Sequence, residues 1–247
     1  MDIYGLIGHP LKHSFSQRFF TEKFAKEGID AEYHTFDIPD IALLEKIMEL
    51  HKGLNGLNVT IPYKEKVIQY LDSLDPEAEK IGAVNVIKFL RDEEGLRLVG
   101  YNSDIVGFQS SIKPLINNLI HKKALILGTG GASKAVKHGL QNLGLETKFV
   151  SRTSKNGSYT YQDLSKEILS EYKVIVNSSP VGTFPDIDSS PDIPYQYLTA
   201  DHLLYDLVYN PAETSFLKQG KAMGATVKNG AEMLELQAIE AWDIWNR

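Results

Sequence analysis

The chain has 247 residues, no cysteine and a formal net charge of −6. That length allows one large domain or two modest ones with buried cores. The composition excludes disulfides, thiolate metal sites and thiol nucleophiles, and an acidic balance without a basic block argues against a nucleic-acid partner and for a small molecule.

Apolar periodicity predicts a strand over residues 3–7 and a helix over 14–27 that Gly28 closes. Strands at 33–38 and 56–59 alternate with helices at 41–50 and 63–71, the latter opening after Pro62. Residues 83–89 and 96–100 flank a polar turn, which predicts an antiparallel hairpin closing the edge of a first sheet. A connecting helix over 104–117, bent at Pro114, then leads to a strand at 123–127, a glycine-rich turn and a helix capped by Gly144. Further strands are expected at 147–150, 173–177 and 203–208, as in a parallel doubly wound sheet. The loop 178–197, rich in proline, aspartate and serine, reads as an ordered excursion or a mobile lid, and a densely apolar helix over 231–245 ends the chain.

The expected fold is therefore α/β with two domains: an open N-terminal α/β domain over 1–103, a Rossmann-like doubly wound dinucleotide domain over 104–229, and a last helix over 230–247 returning to the first. The N-terminus lacks the basic region and apolar length of a signal peptide, and no stretch approaches the ~20 apolar residues that span a bilayer. A cytoplasmic protein without a membrane partner is expected.

A glycine turn between strand and helix lets backbone approach a pyrophosphate, while the helix N-terminus offers free N–H donors. Gly128, Thr129, Gly130, Gly131, Ala132 and Ser133 have that character, with Ser133 where a third glycine usually stands. The same turn also suits any plain strand-to-helix connection. At the end of the next strand a dinucleotide fold places the residue that reads the adenosine ribose, and here Ser151, Arg152, Thr153 and the nearby Lys155 supply hydroxyls and cations instead of a carboxylate. Such a set favours a 2′-phosphate, hence NADP, although Arg152 alone also reads as a solvated loop arginine.

Ser14 and Ser16 open a helix, where hydroxyls and amides together can hold a carboxylate, or where one serine is simply the cap. His9 and His13 enclose Pro10 and lack the glutamate of the zinc helix motif, so no metal is expected. Asn58, Thr60 and Lys64 follow a strand toward a helix, where open α/β sheets place ligands; Lys64 alone would read as an exposed lysine. Asn85 and Asp104 stand beside further strand ends with small neighbours.

Together, the segments 8–16, 58–64, 82–85, 100–104, 128–133, 151–153, 177–182, 205–211 and 230–237 resemble, in order, the motifs of the shikimate dehydrogenases. The resemblance covers almost the whole chain. It implies Lys64 and Asp104 as the catalytic pair, and Ser14, Ser16, Asn58, Thr60, Asn85, Tyr209 and Gln237 as substrate ligands. It also implies NADP against 128–133, 151–153, Leu207 and Gly230, in a cleft between the two domains, with no metal. The family departs from this chain after Ser16, where Gln17, Phe19 and Phe20 change the helix face.

Oxidising a ring hydroxyl requires a proton to leave oxygen as hydride leaves carbon, and Lys64 oriented by Asp104 suits that task in either direction. The expected activity is NADP-dependent interconversion of 3-dehydroshikimate and shikimate, a step of aromatic amino-acid (chorismate) biosynthesis, by a monomer or homodimer. The alternatives are a quinate/shikimate dehydrogenase of relaxed specificity and a non-catalytic NADP-sensing module.

Overall fold

Two six-stranded sheets organise the protein in a computed structural model that describes residues 1–11, 14–93, 95–153 and 157–247. The chain separates into one unit of Met1–Ser103 with Ala238–Arg247 and a second of Asp104–Gln237.

In the first unit the order is β1 (Asp2–Gly8), α1 (Phe15–Glu27), β2 (Ala31–Asp37), α2 (Leu44–Leu50), β3 (Leu54–Val59), β4 (Ser73–Leu74), α3 (Pro76–Ile81), β5 (Val86–Asp92) and β6 (Gly95–Tyr101). The sheet runs β2-β1-β3-β5-β6-β4, and only β5 is antiparallel to its neighbours. Alternation along β1 sends Ile7 into an aliphatic core with Leu44, Leu57 and Ile87, and Tyr4 and Leu6 into an aromatic core on the other face. α1 begins with Ser14 as N-cap and ends at left-handed Gly28, as the sequence predicts.

Three features differ from the sequence reading. Residues 63–71 make only a short 3₁₀ turn, Lys66–Tyr70, because the Lys64 carbonyl accepts from the Val84 N–H and is withdrawn from intrahelical pairing. The hairpin β5–β6 does not close the sheet, since β4 pairs beyond it with Ser73 opposite Val99. α3 went unread, although Asp75 as cap, Pro76 in the first turn and left-handed Gly82 at its end are the signals of a short helix.

The second unit contains α4 (Asp104–Ile112), β7 (Lys123–Leu127), α5 (Gly131–Asn142), β8 (Glu146–Ser151), β9 (Tyr159–Thr160), α6 (Lys166–Glu171), β10 (Val174–Asn177), β11 (Leu203–Asp206), α7 (Ser215–Ala222) and β12 (Thr226–Lys228). Its all-parallel order, β12-β11-β10-β7-β8-β9, is the doubly wound dinucleotide order, with the switch point between β7 and β10. β9 and β12 extend the expected four strands at both edges. α4 stops at Ile112, and Pro114 sits in a separate 3₁₀ turn, so the expected bent helix is two elements.

The segment 178–197 is pinned by several bonds: Ser215 donates to the Ile187 carbonyl at 3.1 Å, Gln219 to Ser190 at 2.9 Å, and buried Ile193 joins the core with Leu125 and Phe216. The final helix, α8 (Ala231–Asn246), starts in the second unit and ends in the first. There Ala238, Ala241, Ile244 and Trp245 pack with Tyr4, Phe20 and Phe24, and the Trp245 indole donates to the Ile87 carbonyl at 3.0 Å.

Candidate active site

In the first unit the candidate residues gather on loops at the C-terminal ends of β1 and β3, and backbone bonds lace these loops together. Thr60 donates its N–H to the Ile7 carbonyl at 2.9 Å, and His9 donates to Ile61 at 3.0 Å. Ser14 caps α1 by accepting the Gln17 N–H at 3.0 Å. That bond uses a lone pair on Oγ and leaves the hydroxyl proton available to donate to an anion. Burial pushes the Tyr33 phenol far above its ordinary range, and the neighbouring Ser16 hydroxyl offsets part of that rise.

From Tyr33 a polar chain runs through the sheet. The Tyr33 hydroxyl donates to Asn58 Oδ1 at 2.7 Å, and Asn58 Nδ2 donates to the Asn85 carbonyl at 3.4 Å. Asn85 in turn grips Ser103 twice: Nδ2 donates to Ser103 Oγ at 3.0 Å, and Oδ1 accepts the Ser103 N–H at 2.7 Å. Asn102 Nδ2 donates to the Ala83 carbonyl at 2.8 Å. Buried polar groups in such a chain are costly to unpair, so the network fixes the backbone around it. Lys64, half-buried, is held through its own carbonyl by the Val84 N–H at 2.7 Å, one residue before Asn85. Asp104 directly follows Ser103 and begins α4, where a buried carboxylate gains from the helix N-terminus.

Gln17, Phe19 and Phe20 rebuild the face behind the serines. Phe20, fully buried, stacks on Tyr33 with ring centroids 4.8 Å apart and meets Phe19 edge-on at 5.2 Å. Aromatic packing therefore holds the tyrosine that braces Ser16 and Asn58. The sequence reading missed Tyr33, because an alternating strand gives no sign of which tyrosine has its hydroxyl in a network. His9 pairs with Asp37 at 2.7 Å, and Lys12 and His13 lie outside the described residues. Among the described residues no three His, Asp or Glu side chains converge as metal ligands do.

In the second unit the candidates surround the switch point. Gly128 sits at φ +104°, a conformation side chains disfavour, and an added Cβ would approach Ser179 N at 3.2 Å and Ser178 Oγ at 3.3 Å. Thr129 and Gly130 are exposed, Gly130 precedes Gly131 and Ala132 at the start of α5, and no side chain caps that end. Gly130 therefore offers the first amides of α5 no capping side chain, the arrangement that receives a pyrophosphate. Ser133 is buried and returns its hydroxyl to the Gly130 carbonyl at 2.6 Å, closing the turn where a third glycine would otherwise stand.

A cleft of about 680 Å³ opens beside this turn, lined by Thr129, Lys134, Lys137, Lys148, Phe149, Arg152 and Thr153 among others, with no acidic residue among the described ones. Ser151 Oγ donates to the Thr153 carbonyl at 2.5 Å, leaving Arg152 and Thr153 exposed at the end of β8. Lys155 lies outside the described residues.

On the far side of the switch point Leu207 donates its N–H to Asn177 at 2.9 Å, and an added Cβ at Gly230 would stand 2.2 Å from the Leu207 carbonyl, so only glycine lets these loops meet. Tyr209 is exposed, and Gln237, buried, donates to the Leu234 carbonyl at 2.8 Å within α8. Asp206, also unread in sequence, organises these loops from beneath. Its Oδ1 accepts from Asn177 at 2.9 Å and from the Val208 N–H at 3.0 Å, and its Oδ2 accepts from the Thr214 hydroxyl at 2.6 Å. Desolvation pushes its carboxyl up to about 6 despite these bonds.

Comparison with known proteins bears on both units. Residues 6–87 match the family model described as the shikimate dehydrogenase substrate binding domain. A shikimate dehydrogenase (NADP(+)) of Carboxydothermus hydrogenoformans is 39% identical over 257 residues, covering 98% of this chain and 90% of that one. The crystal structure of shikimate dehydrogenase from Aquifex aeolicus superposes with a TM-score of 0.86 at 35% identity, covering 100% of this chain and 92% of that chain. The Thermus thermophilus enzyme in complex with NADP(H) and shikimate gives 0.85 at 33% identity, with 99% and 93% covered.

Proposed function

Because the chain belongs to the shikimate dehydrogenase family, we propose that it catalyses the reversible, NADP-dependent reduction of 3-dehydroshikimate to shikimate, with Lys64 and Asp104 as the acid–base pair. One observation supports this most directly: the Lys64 backbone is tied to Val84, next to the Asn85–Ser103 pair, so a lysine is fixed among hydroxyls and amides at the C-terminal ends of β1 and β3. A ring carrying one carboxylate and several hydroxyls needs such partners, since an unpaired polar group in a closed site is costly.

The hydroxyls of Ser14 and Ser16 take the carboxylate, and Thr60, Asn85, Tyr209 and Gln237 take ring oxygens. Asn58, engaged by Tyr33 and Asn85, sets the position of its neighbours. In the reducing direction the Lys64 ammonium hydrogen-bonds the ketone oxygen, stabilises the charge that develops there and delivers the proton. Asp104 orients that ammonium and grips an adjacent hydroxyl. In the oxidising direction neutral Lys64 takes the hydroxyl proton.

The second unit's residues fit NADP: an uncapped α5 N-terminus beside Gly128–Gly131 for the pyrophosphate, and Arg152 and Thr153 in an acid-free cleft for the 2′-phosphate. When bound, the dinucleotide supplies or accepts the hydride at its nicotinamide ring. That the Thermus thermophilus relative holds both NADP(H) and shikimate supports the same assignment. The reading carries with it a cytoplasmic enzyme, monomeric or homodimeric, acting on small molecules; among the described residues no helix is long and apolar enough to cross a membrane.

Shikimate alone should raise the melting temperature of the purified protein, and adding NADP should then produce reduced nicotinamide. A melting shift with no turnover would replace the enzyme by a binding module.

A further inference from the structure

The acid-free cleft of the second unit holds more cations than the loop after β8 supplies. Five lysines of this protein face a carboxylate: Lys23 meets Glu27, Lys80 meets Glu77, Lys123 meets Glu171, Lys221 meets Glu213 and Lys228 meets Glu232. Lys137 has no carboxylate partner among the described residues, and its ammonium lies 5.8 Å from the centre of the Phe149 ring. Phe149 projects from the face of β8 that packs against Val136 and Leu140 of α5, so Lys137 is stacked on the wall shared by helix and strand. Helical side chains lean toward the N-terminus of their helix, which carries this ammonium from the second turn of α5 back toward the glycine turn and Arg152. Both Lys137 and Arg152 line the cleft.

Resting on the NADP reading above, we propose that Lys137, held over Phe149, is a specificity-determining residue that grips the adenosine 2′-phosphate from the helix side, opposite Arg152. A phosphate monoester carries close to two negative charges at neutral pH, which one exposed guanidinium leaves partly uncompensated. A cation stacked on an aromatic ring loses little freedom on binding and is not diverted by an acid. Lys148 provides an internal control. It neighbours Phe149 on β8 and lines the same cleft, but its ammonium is held 5.1 Å from the Tyr159 ring and not over Phe149, so it separates a placed cation from the general charge of the cleft. Removing it changes the net charge by the same amount as removing Lys137.

The test compares Lys137→Gln and Lys148→Gln in two readouts: the dissociation constant of adenosine 2′,5′-bisphosphate by calorimetry, and KM for NADP and for NAD with shikimate. Loss of one charge-assisted contact predicts about fivefold to tenfold weaker bisphosphate binding and a matching rise in KM for NADP in Lys137→Gln, with kcat and KM for NAD unchanged. Lys148→Gln should change bisphosphate binding less than about twofold. Equal effects of the two variants, or none from Lys137→Gln, would overturn the proposal. Calorimetry needs no turnover, so a protein that binds the bisphosphate through Lys137 yet oxidises no shikimate would contradict the reaction assigned above and leave this inference standing.

Discussion

The two units prepare for ligands by opposite means. In the first, the groups around Lys64 are side chains locked to one another inside the sheet, from Ser16 through Tyr33, Asn58 and Asn85 to Ser103. In the second, the surfaces are backbone amides at an uncapped helix end and cations exposed on a cleft wall, while the buried groups beneath them, Asp206 and Asn177, only hold loops in place. A braced network is suited to placing a proton donor, where small displacements cost rate. Exposed amides and cations are suited to holding charge, where strength is adjustable and geometry is forgiving. Changes in the first unit should therefore reach turnover and stability together, and changes at the surface of the second should reach affinity alone.

The largest expected break is Lys64→Ala, which should lower kcat by about 10²–10⁴ with little change in KM for shikimate, as initial rates would show. Near-normal turnover would remove Lys64 from the chemistry. Next, Arg152→Gln should raise KM for NADP about tenfold and leave KM for NAD and the melting temperature alone; a comparable loss with NAD would mean that Arg152 does not read the phosphate.

Tyr33→Phe sharpens the contrast, because it deletes one hydroxyl from the network while keeping the stack on Phe20. It should cost about 1–2 kcal/mol in urea unfolding and weaken shikimate binding through Ser16. Unchanged stability would show that the chain from Ser16 to Ser103 is not mutually supporting.

The smallest effect is one of pH. The Asp206 carboxyl, raised from the ordinary 3.8 to about 6, keeps a proton in the folded protein that the unfolded chain has already released. More protons bound in the folded state means that this group's contribution to stability falls as pH climbs from about 4 to about 6, and stays lower at neutrality. Asp206→Asn has no such titration, so the difference in unfolding free energy between pH 5 and pH 7 should shift in favour of pH 7 relative to the unaltered protein. An identical difference in both proteins would refute the buried, protonatable carboxyl.

Much of the fold was legible because the apolar runs at 3–7, 123–127 and 173–177 are strands buried on both faces, and the caps at Ser14, Gly28 and Gly144 follow from local backbone chemistry. What local pattern could not reveal was competition for backbone groups over distance. Lys64 lies at the start of an apparent helix, yet its carbonyl goes to Val84, and the helix gives way to a 3₁₀ turn. The short edge strands β4, β9 and β12 each carry only two or three residues, too few for any periodicity to register.

The candidate residues were legible as types at strand ends, and as a resemblance. Their supports were not: Tyr33, Asp206 and Lys137 gain their roles from neighbours at 25, 29 and 12 positions' separation, Asn58, Asn177 and Phe149 respectively. A polar residue closing an apolar strand, as Asp206 does in β11, is the trace such a support leaves in sequence.

The most direct measurement is an initial-rate comparison with shikimate or quinate as reductant and NADP or NAD as acceptor, followed by the absorbance of reduced nicotinamide. Shikimate with NADP should be the fastest pair by a wide margin. Equal or faster turnover with quinate or with NAD, or silence of the folded protein with every pair, would contradict the account.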